Sequence, residues 1–434
     1  MVEKVKQAIF KKNGGFWIVA GLVLIFLGIR LAVLFSQVDN LYEEEELYRG
    51  TIAREIIQGP LIPLWEYLDY QVEYFPGGTL VAGILAVPFF LLFGQTYISL
   101  KLVGLLFALG TFIVWFYFLD RFFSRRAALI SSLLFIFCMP FYTKMSLITW
   151  GAHPEANFFS ALSIFIFYRI FFCGKSDSKP YLFLLGIVSG FAFWFVQTYL
   201  LTLAFILISW FVLERRMLLK SGFYIFVLGC IIGFGPGIFY ELIYHKGVFS
   251  INGDNVFLEL ALCDLGSFLP RLSALLTRDL PDSFLFGWGG LNYLYYLLFL
   301  IAFGSLFWFN RKSLSVFLKR AIYPITLRDV KLAPGSLSRE SLLLVYPLLF
   351  ILAYALSSYN LDPEHWRDYI GYRYMIPLVP FIFLLCAIFL ERISGKKLFF
   401  RLFLSLLLVL GAAGNLGLIS LKKMGWYFQD KGYS

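Results

Sequence analysis

The sequence predicts an all-α integral membrane protein, and composition, segment length and charge distribution support this prediction. The chain of 434 residues is 60% hydrophobic and 20% aromatic, with only 15% charged residues. Its mean hydropathy is +0.78. The surface of a soluble protein must be largely polar, so this composition excludes an ordinary soluble domain. Apolar runs of about the twenty residues needed to cross the hydrocarbon recur along the chain, and basic residues gather between them.

The apolar runs predict about eleven transmembrane helices and one re-entrant or interfacial helix. The first run, Phe16 to Val38, follows several lysines and is too long for a signal peptide, so we expect it to be a retained anchor. The other runs are 79–93, 97–119, 127–143, 157–172, 181–213, 219–242, 290–309, 341–358, 372–391 and 400–421.

The basic connections orient these helices, because loops rich in Lys and Arg stay in the cytoplasm. Arg121 to Arg126 and the loop 310–340 are therefore predicted to be cytoplasmic, with the N-terminus inside and the C-terminus outside. This orientation requires the short, Pro88-containing run 79–93 to be re-entrant or interfacial. It also requires 181–213 to form two short helices that turn near Gln197-Thr198. The net charge of +10 then comes from the basic loops that orient the helices in the membrane, and it does not imply nucleic-acid binding.

We interpret residues 1–434 as a single polytopic membrane domain. An N-terminal core, 16–172, carries the outer loop 39–78, and C-terminal helices, 173–434, carry the outer loops 243–289 and 359–371. The five cysteines show no paired spacing and are typical of packing residues. The cytoplasmic loop 310–340 has no nucleotide-binding motif. Any chemistry is thus expected outside, on a substrate already activated without a soluble nucleotide.

Three outer segments carry candidate site residues. Four adjacent glutamates, Glu43 to Glu46, begin an amphipathic stretch that predicts a helix ending at Gly59-Pro60. Neighbours on a helix lie about 100° apart, so some of these carboxylates should face the membrane surface and others water. His153 and Glu155 precede one span, and Tyr372 and Arg373 precede another.

On one face of the membrane, a carboxylate cluster, a His/Glu pair and an Arg/Tyr cluster can serve as a base, an orienting group and a phosphate clamp. Three structural alternatives stay open. The acidic run can be a solvated loop, His153 can cap a helix, and Arg373 can belong to an interfacial belt.

The pattern of these segments resembles the GT-C fold glycosyltransferases, within them the protein O-mannosyltransferase and lipid A aminoarabinose transferase branch. The first outer-loop motif of that branch is similar to the stretch from Glu45 through Ala53-Arg54-Glu55 to Gly59. Four further motifs follow in the same order. They are Tyr74-Phe75-Pro76-Gly77-Gly78, Arg121 to Ala128, His153-Pro154-Glu155 before Phe158-Phe159, and Tyr372-Arg373-Tyr374 with Pro377 and Pro380.

This resemblance implies sugar transfer from a polyprenyl-phosphate donor to a protein, lipid or glycan acceptor. It places Glu45 at the position of the catalytic Asp, with Glu46 beside it, and His153 at the position of the second Asp, with Glu155 two residues later. Arg373 would steady the donor phosphate. The branch's lysine before the Pro pair is replaced by Phe75.

The resemblance also implies a prokaryotic cytoplasmic membrane protein with its active site on the extracytoplasmic face. The resemblance implies no required cofactor, and it leaves open whether the protein uses a divalent metal ion. The alternatives are a polytopic transporter or lipid flippase and a non-catalytic scaffold. A transporter predicts inverted repeats and broken helices at mid-membrane. We find no convincing repeat, although Gly233 to Gly237 could break the run 219–242.

Overall fold

Helices make up every regular element in the part of the chain that the computed structural model describes. The described residues are 2–37, 44–59, 62–63, 66, 77–174, 178–244, 266, 268–283, 292–322, 337–356, 375–395 and 397–420. In chain order the helices are α1 Val2–Gln37, α2 Glu44–Gln58, α3 Gly77–Phe93, α4 Tyr97–Phe122, α5 Arg125–Ile136, α6 Pro140–Met145, α7 His153–Phe172, α8 Lys179–Phe195, α9 Leu200–Leu213, α10 Ser221–Gly233, α11 Gly235–Tyr244, α12 Phe268–Ala274, α13 Leu280–Ser283, α14 Asn292–Phe309, α15 Arg311–Ile322, α16 Arg339–Leu356, α17 Val379–Ile393 and α18 Lys397–Ser420.

Six helical segments of the described chain are long and apolar enough to cross a membrane. The segments are Phe16–Gln37, Tyr97–Phe122, His153–Phe172, Arg339–Leu356, Ile376–Ile393 and Phe400–Ile419. Four shorter apolar helices accompany them: Gly77–Phe93, Lys179–Phe195, Gln197–Leu213 and Ser221–Gly233. The count of about eleven crossings, and the re-entrant or interfacial placement of α3, stay predictions.

Several predicted runs divide into two helices. The run 181–213 breaks at Val196 before a 3-10 turn, Gln197–Tyr199, close to the predicted turn. The run 127–143 divides into α5 and α6, because Pro140 begins the second helix. The run 219–242 divides at Phe234, next to the glycines expected to weaken it.

Helices α8 and α10 pack through paired glycines four residues apart. A Cβ atom added to Gly190 would lie 2.0 Å from the Cys230 carbonyl oxygen, and one added to Gly233 would lie 2.2 Å from the Ile187 oxygen. Gly186 is equally close to the Phe226 oxygen. Small residues at this spacing let helix backbones approach closely in a membrane. The first half of the predicted 181–213 hairpin is therefore held mainly by α10.

The centre of the bundle is α4, which packs on α7, α5, α3 and α1. Helix α2 packs on α3, where a Cβ atom at Gly83 would lie 2.6 Å from Ile52 Cγ2. At the far end of α4, Arg339 donates to the Phe122 carbonyl oxygen at 2.8 Å. The N-terminal end of α4 therefore lies beside α2, and its C-terminal end lies beside the start of α16.

Candidate active site

Helix α2 carries Glu44 to Glu46 of the acidic run, as the sequence predicts, and Gly59 follows its last residue with a φ of +99°. A positive φ is easily adopted by glycine, which explains why the helix ends there. Ile52 and Ala53 are fully buried, whereas Leu47 is 42% exposed and lies off the packed face. Glu43 and the side chain of Glu44 lie outside the described residues.

Glu46 lies inside the protein and pairs with Lys101 of α4. Its Oε2 accepts a hydrogen bond from Lys101 Nζ at 2.5 Å, and both side chains are fully buried. Its Oε1 accepts the backbone N–H of Thr149 at 2.6 Å. Both oxygens of this carboxylate are therefore occupied by donors from two other segments.

Thr149 completes the link between these segments. Its hydroxyl accepts the Gly104 N–H at 3.0 Å and donates to the Leu100 carbonyl oxygen at 2.9 Å. Burial raises the pKa of the Glu46 carboxyl above its ordinary value, while the Lys101 ammonium opposes that rise. The hydrogen bonds of Glu46 and Thr149 hold α2, α4 and the segment before α7 against one another.

Glu45, one residue earlier, faces a different environment. Its side chain is 35% exposed, and its Oε2 lies 3.9 Å from Nη2 of the buried Arg49. Arg49 also donates to the Glu45 backbone oxygen and to the Trp150 carbonyl oxygen. The structure separates the two neighbouring glutamates, because Glu46 is buried inside the protein and Glu45 is 35% exposed. The division of these carboxylates between membrane surface and water stays a prediction.

The second predicted segment lies against the first through Trp150. Glu155 Oε1 accepts the Gly151 N–H at 3.0 Å, and its Oε2 accepts the Ala152 N–H at 3.1 Å. Glu155 therefore caps the N-terminus of α7, where backbone N–H groups lack helical partners. His153, the first residue of that helix, is 8% exposed, and its ring lies edge-on to Trp150 at 6.1 Å.

Gly78 of α3 and Gly151 allow α3 to lie very close to the segment before α7. Gly151 has a φ of +64°. A Cβ atom at Gly78 would lie only 1.7 Å from the Gly151 carbonyl oxygen.

The structure brings together the predicted Glu45, Glu46, His153 and Glu155. The predicted Tyr372 and Arg373 lie outside the described residues.

Sequence reasoning did not assign Lys101 or Thr149 to the site. A lysine inside the apolar run 97–119 is costly in lipid unless it is paired. The position of Lys101 in that run was therefore the sequence feature that could have indicated a buried partner. Thr149 offered no comparable signal, since it is an uncharged residue in a loop.

Other buried arginines, among them Arg30 and Arg271, lie outside the site. Arg30 of α1 is fully buried and donates to the hydroxyls of Ser146 at 3.1 Å and Thr143 at 3.0 Å. Arg271 of α12 is 3% exposed, and its Nη1 reaches the Leu356 carbonyl oxygen at 3.5 Å.

A buried carboxylate follows Arg271 in the same stretch of the chain. Asp279 accepts from Arg278 Nε at 2.6 Å and from the Tyr354 hydroxyl at 3.2 Å. Burial raises the pKa of Asp279. No group of three or more His, Cys, Asp or Glu side chains in the described part of the chain could hold a metal ion.

Comparisons with known proteins agree with this architecture. Residues 78–240 match the family model for dolichyl-phosphate-mannose-protein mannosyltransferase. ArnT from Cupriavidus metallidurans, bound to undecaprenyl phosphate, is similar with a TM-score of 0.53 and 14% identity over 87% of this chain. The archaeal oligosaccharyltransferase AglB from Archaeoglobus fulgidus, in complex with an inhibitory peptide and a dolichol-phosphate, is similar with a TM-score of 0.52 and 14% identity over 94% of this chain.

The chain has the GT-C glycosyltransferase fold. The apo form of the Archaeoglobus fulgidus oligosaccharyltransferase gives the same result, with a TM-score of 0.55 and 12% identity over 95% of this chain. The GT-C fold class and the family resemblance predicted from the sequence are thereby confirmed, and the chain is an integral membrane protein.

The chain spans 61% of the ArnT structure and 56% of each Archaeoglobus structure, less than two thirds of these GT-C proteins. No curated protein sequence matches it.

Proposed function

We propose that this GT-C chain is a glycosyltransferase that moves a sugar from a polyprenyl-phosphate donor to an acceptor on the extracytoplasmic face, with Glu45 as the base. The donor class is supported by the polyprenyl phosphates bound to ArnT and AglB and by the dolichyl-phosphate-mannose family model. The outer face is supported by the predicted orientation, in which α2 lies opposite the basic loop 310–340.

The observation that carries the choice of base is the contrast between two adjacent carboxylates. Glu46 is fully buried and engaged by Lys101, so it is unable to meet an acceptor. Glu45 is 35% exposed, and its Oε2 lies 3.9 Å from Nη2 of the buried Arg49. A general base must reach the proton that it removes, so Glu45 is the better candidate. Glu46 acts as a positioning residue, because it anchors the helix that carries Glu45.

The proposed reaction is a displacement at the anomeric carbon. Glu45 accepts the acceptor proton, the acceptor atom forms a bond to the anomeric carbon, and the bond from that carbon to the phosphate oxygen breaks. The polyprenyl phosphate leaves with the electron pair, so no general acid is needed. In-line attack inverts the anomeric centre. We propose Arg373 as a cation that stabilises the departing phosphate, with Tyr372, His153 and Glu155 contributing to the binding site.

The test is a direct transfer assay with a panel of radiolabelled polyprenyl-phosphate sugars and purified full-length protein. Glu45→Gln keeps the size of the side chain but removes its basicity, so turnover should fall by roughly 100- to 10,000-fold. Glu43→Gln is the matched control and should cost little. Donor binding by Glu45→Gln should remain normal, which separates loss of the base from misfolding.

Near-normal turnover in Glu45→Gln would refute its role, and near-normal turnover in all four glutamate variants would move the search for the base to His153 or Glu155. Glu44→Gln and Glu46→Gln complete the series, and Glu46→Gln should lower the yield of folded protein. If the wild type moves the labelled lipid across vesicles without transferring its sugar, the protein is a transporter and the proposed function is wrong.

A further inference from the structure

Helices α14 and α15 form a sharp elbow at the end of the bundle remote from Glu46. Tyr295–Phe309 and Arg311–Ile322 meet at an angle of 77°. Asn310 at the bend is 7% exposed and donates to Glu340 Oε2 at 2.9 Å, while its Oδ1 accepts from the Ser338 hydroxyl at 2.7 Å. The bend is therefore held by side-chain hydrogen bonds to the start of α16.

Helix α15 is basic and amphipathic. Leu314 and Phe317 are buried against the bundle, whereas Leu318 is 49% exposed and Ile322 is 74% exposed. Its basic residues are Arg311, Lys312, Lys319 and Arg320. Four cations in one short helix are costly in hydrocarbon, so α15 does not continue the span of α14. A basic amphipathic helix at this angle to a span lies in the membrane surface.

A cleft of about 310 Å³ occupies this elbow. Its walls combine two cations, Arg311 and Lys319, with the apolar side chains of Phe307, Leu318 and Ile322. Phe307 belongs to the span, so the cleft extends from the membrane surface toward the hydrocarbon.

The two cations are available for an external anion. Arg311 is held over the Trp308 ring, with its guanidinium carbon 4.1 Å from the ring centroid, and its Nη1 donates to the Trp308 oxygen at 3.2 Å. No ion pair between a described carboxylate and Arg311 or Lys319 is formed. Both residues are also exposed.

We propose that this elbow binds an anionic phospholipid of the leaflet that α15 faces. The headgroup phosphate lies between Arg311 and Lys319, and an acyl chain lies along Phe307, Leu318 and Ile322. Charge complementarity selects an anionic lipid over a zwitterionic one, whose own cation neutralises its phosphate. The apolar walls distinguish a lipid from a soluble phosphate. This site is separate from the proposed donor site, which lies at the opposite end of α4.

The experiment is a lipid titration of the purified, delipidated full-length protein, read by native mass spectrometry. Phosphatidylglycerol and phosphatidylcholine with identical acyl chains are compared. The wild type should bind one phosphatidylglycerol in preference to phosphatidylcholine. Lys319→Gln should weaken that binding about fivefold, as expected for one cation near an anionic headgroup. Arg311→Gln should have an effect of similar size.

Lys312→Gln is the matched control, because Lys312 is exposed on the same helix but does not line the cleft. It should bind phosphatidylglycerol as the wild type does, and Lys319→Arg should retain binding. Equal affinity for the two lipids would overturn the proposal, as would an equal loss in Lys312→Gln, which would indicate diffuse charge attraction. Competition by glycerol phosphate as strong as that by the intact lipid would also refute a lipid site.

Discussion

The buried pair of Lys101 and Glu46 should be the most sensitive electrostatic contact described in this protein. The two charges are 2.5 Å apart, with no exposed side-chain surface on either residue. At an effective dielectric constant of about 20, their attraction is ~7 kcal/mol before the cost of desolvating both groups. Removing one partner leaves the other buried without its counter-charge, which typically costs about 3–5 kcal/mol.

The perturbation is a double-mutant cycle of Glu46→Gln, Lys101→Met and the double variant. Each single variant should destabilise the protein by roughly 3–5 kcal/mol. The double variant leaves no unpaired charge, so its loss should fall well short of the sum of the single losses. The amide oxygen that replaces the carboxylate in Glu46→Gln can still accept the Thr149 N–H, which preserves the second contact of the site.

The assay is unfolding of the purified protein in mixed micelles with increasing sodium dodecyl sulfate. Arg125 and Asp120 provide a matched control cycle, because their atoms lie 3.2 Å apart but their side chains are 39% and 32% exposed. A pair of this kind typically contributes below about 1 kcal/mol. Additive losses in the Glu46 and Lys101 cycle, or a coupling no larger than that of the control pair, would refute the buried ion pair.

The remaining predictions concern topology and helix packing. Cysteine-accessibility labelling should find the Ser124 region cytoplasmic and Gly59 outside; labelling of Ser124→Cys from outside would reverse the predicted orientation. Gly190→Val should destabilise the protein by several kcal/mol, because a Cβ atom there would meet the Cys230 oxygen at 2.0 Å. Gly21→Val is the control, since nothing lies within 4 Å of its added Cβ. Equal stability losses in the two variants would contradict the glycine-mediated contact.

Local and compositional features of the fold could be predicted from the sequence. Hydropathy alone identifies a polytopic helical membrane protein, because a chain in lipid must satisfy its backbone hydrogen bonds within helices. The helix at 44–58 and its end at Gly59 follow from neighbouring residues, as does the division of the run 181–213 near Gln197. The run 127–143 was predicted as one span, yet Pro140 begins a second helix there.

The roles of neighbouring glutamates required the tertiary structure. Glu45 and Glu46 are chemically identical and adjacent, so no periodicity assigns one to the interior and the other to the surface. The assignment depends on Lys101, 55 residues away, and on Thr149, 103 residues away. The elbow at Asn310 likewise depends on contacts with Ser338 and Glu340.

The physical reason is the range of the interactions. Helix formation and membrane partition depend on residues within a few turns, and the sequence by itself determined the membrane class, the helix at 44–58 and the set of candidate carboxylates. Burial and ion pairing depend on which distant segments meet. Only the packing of α2, α4 and the segment before α7 decided that Glu46 is paired in the interior and that Glu45 stays accessible.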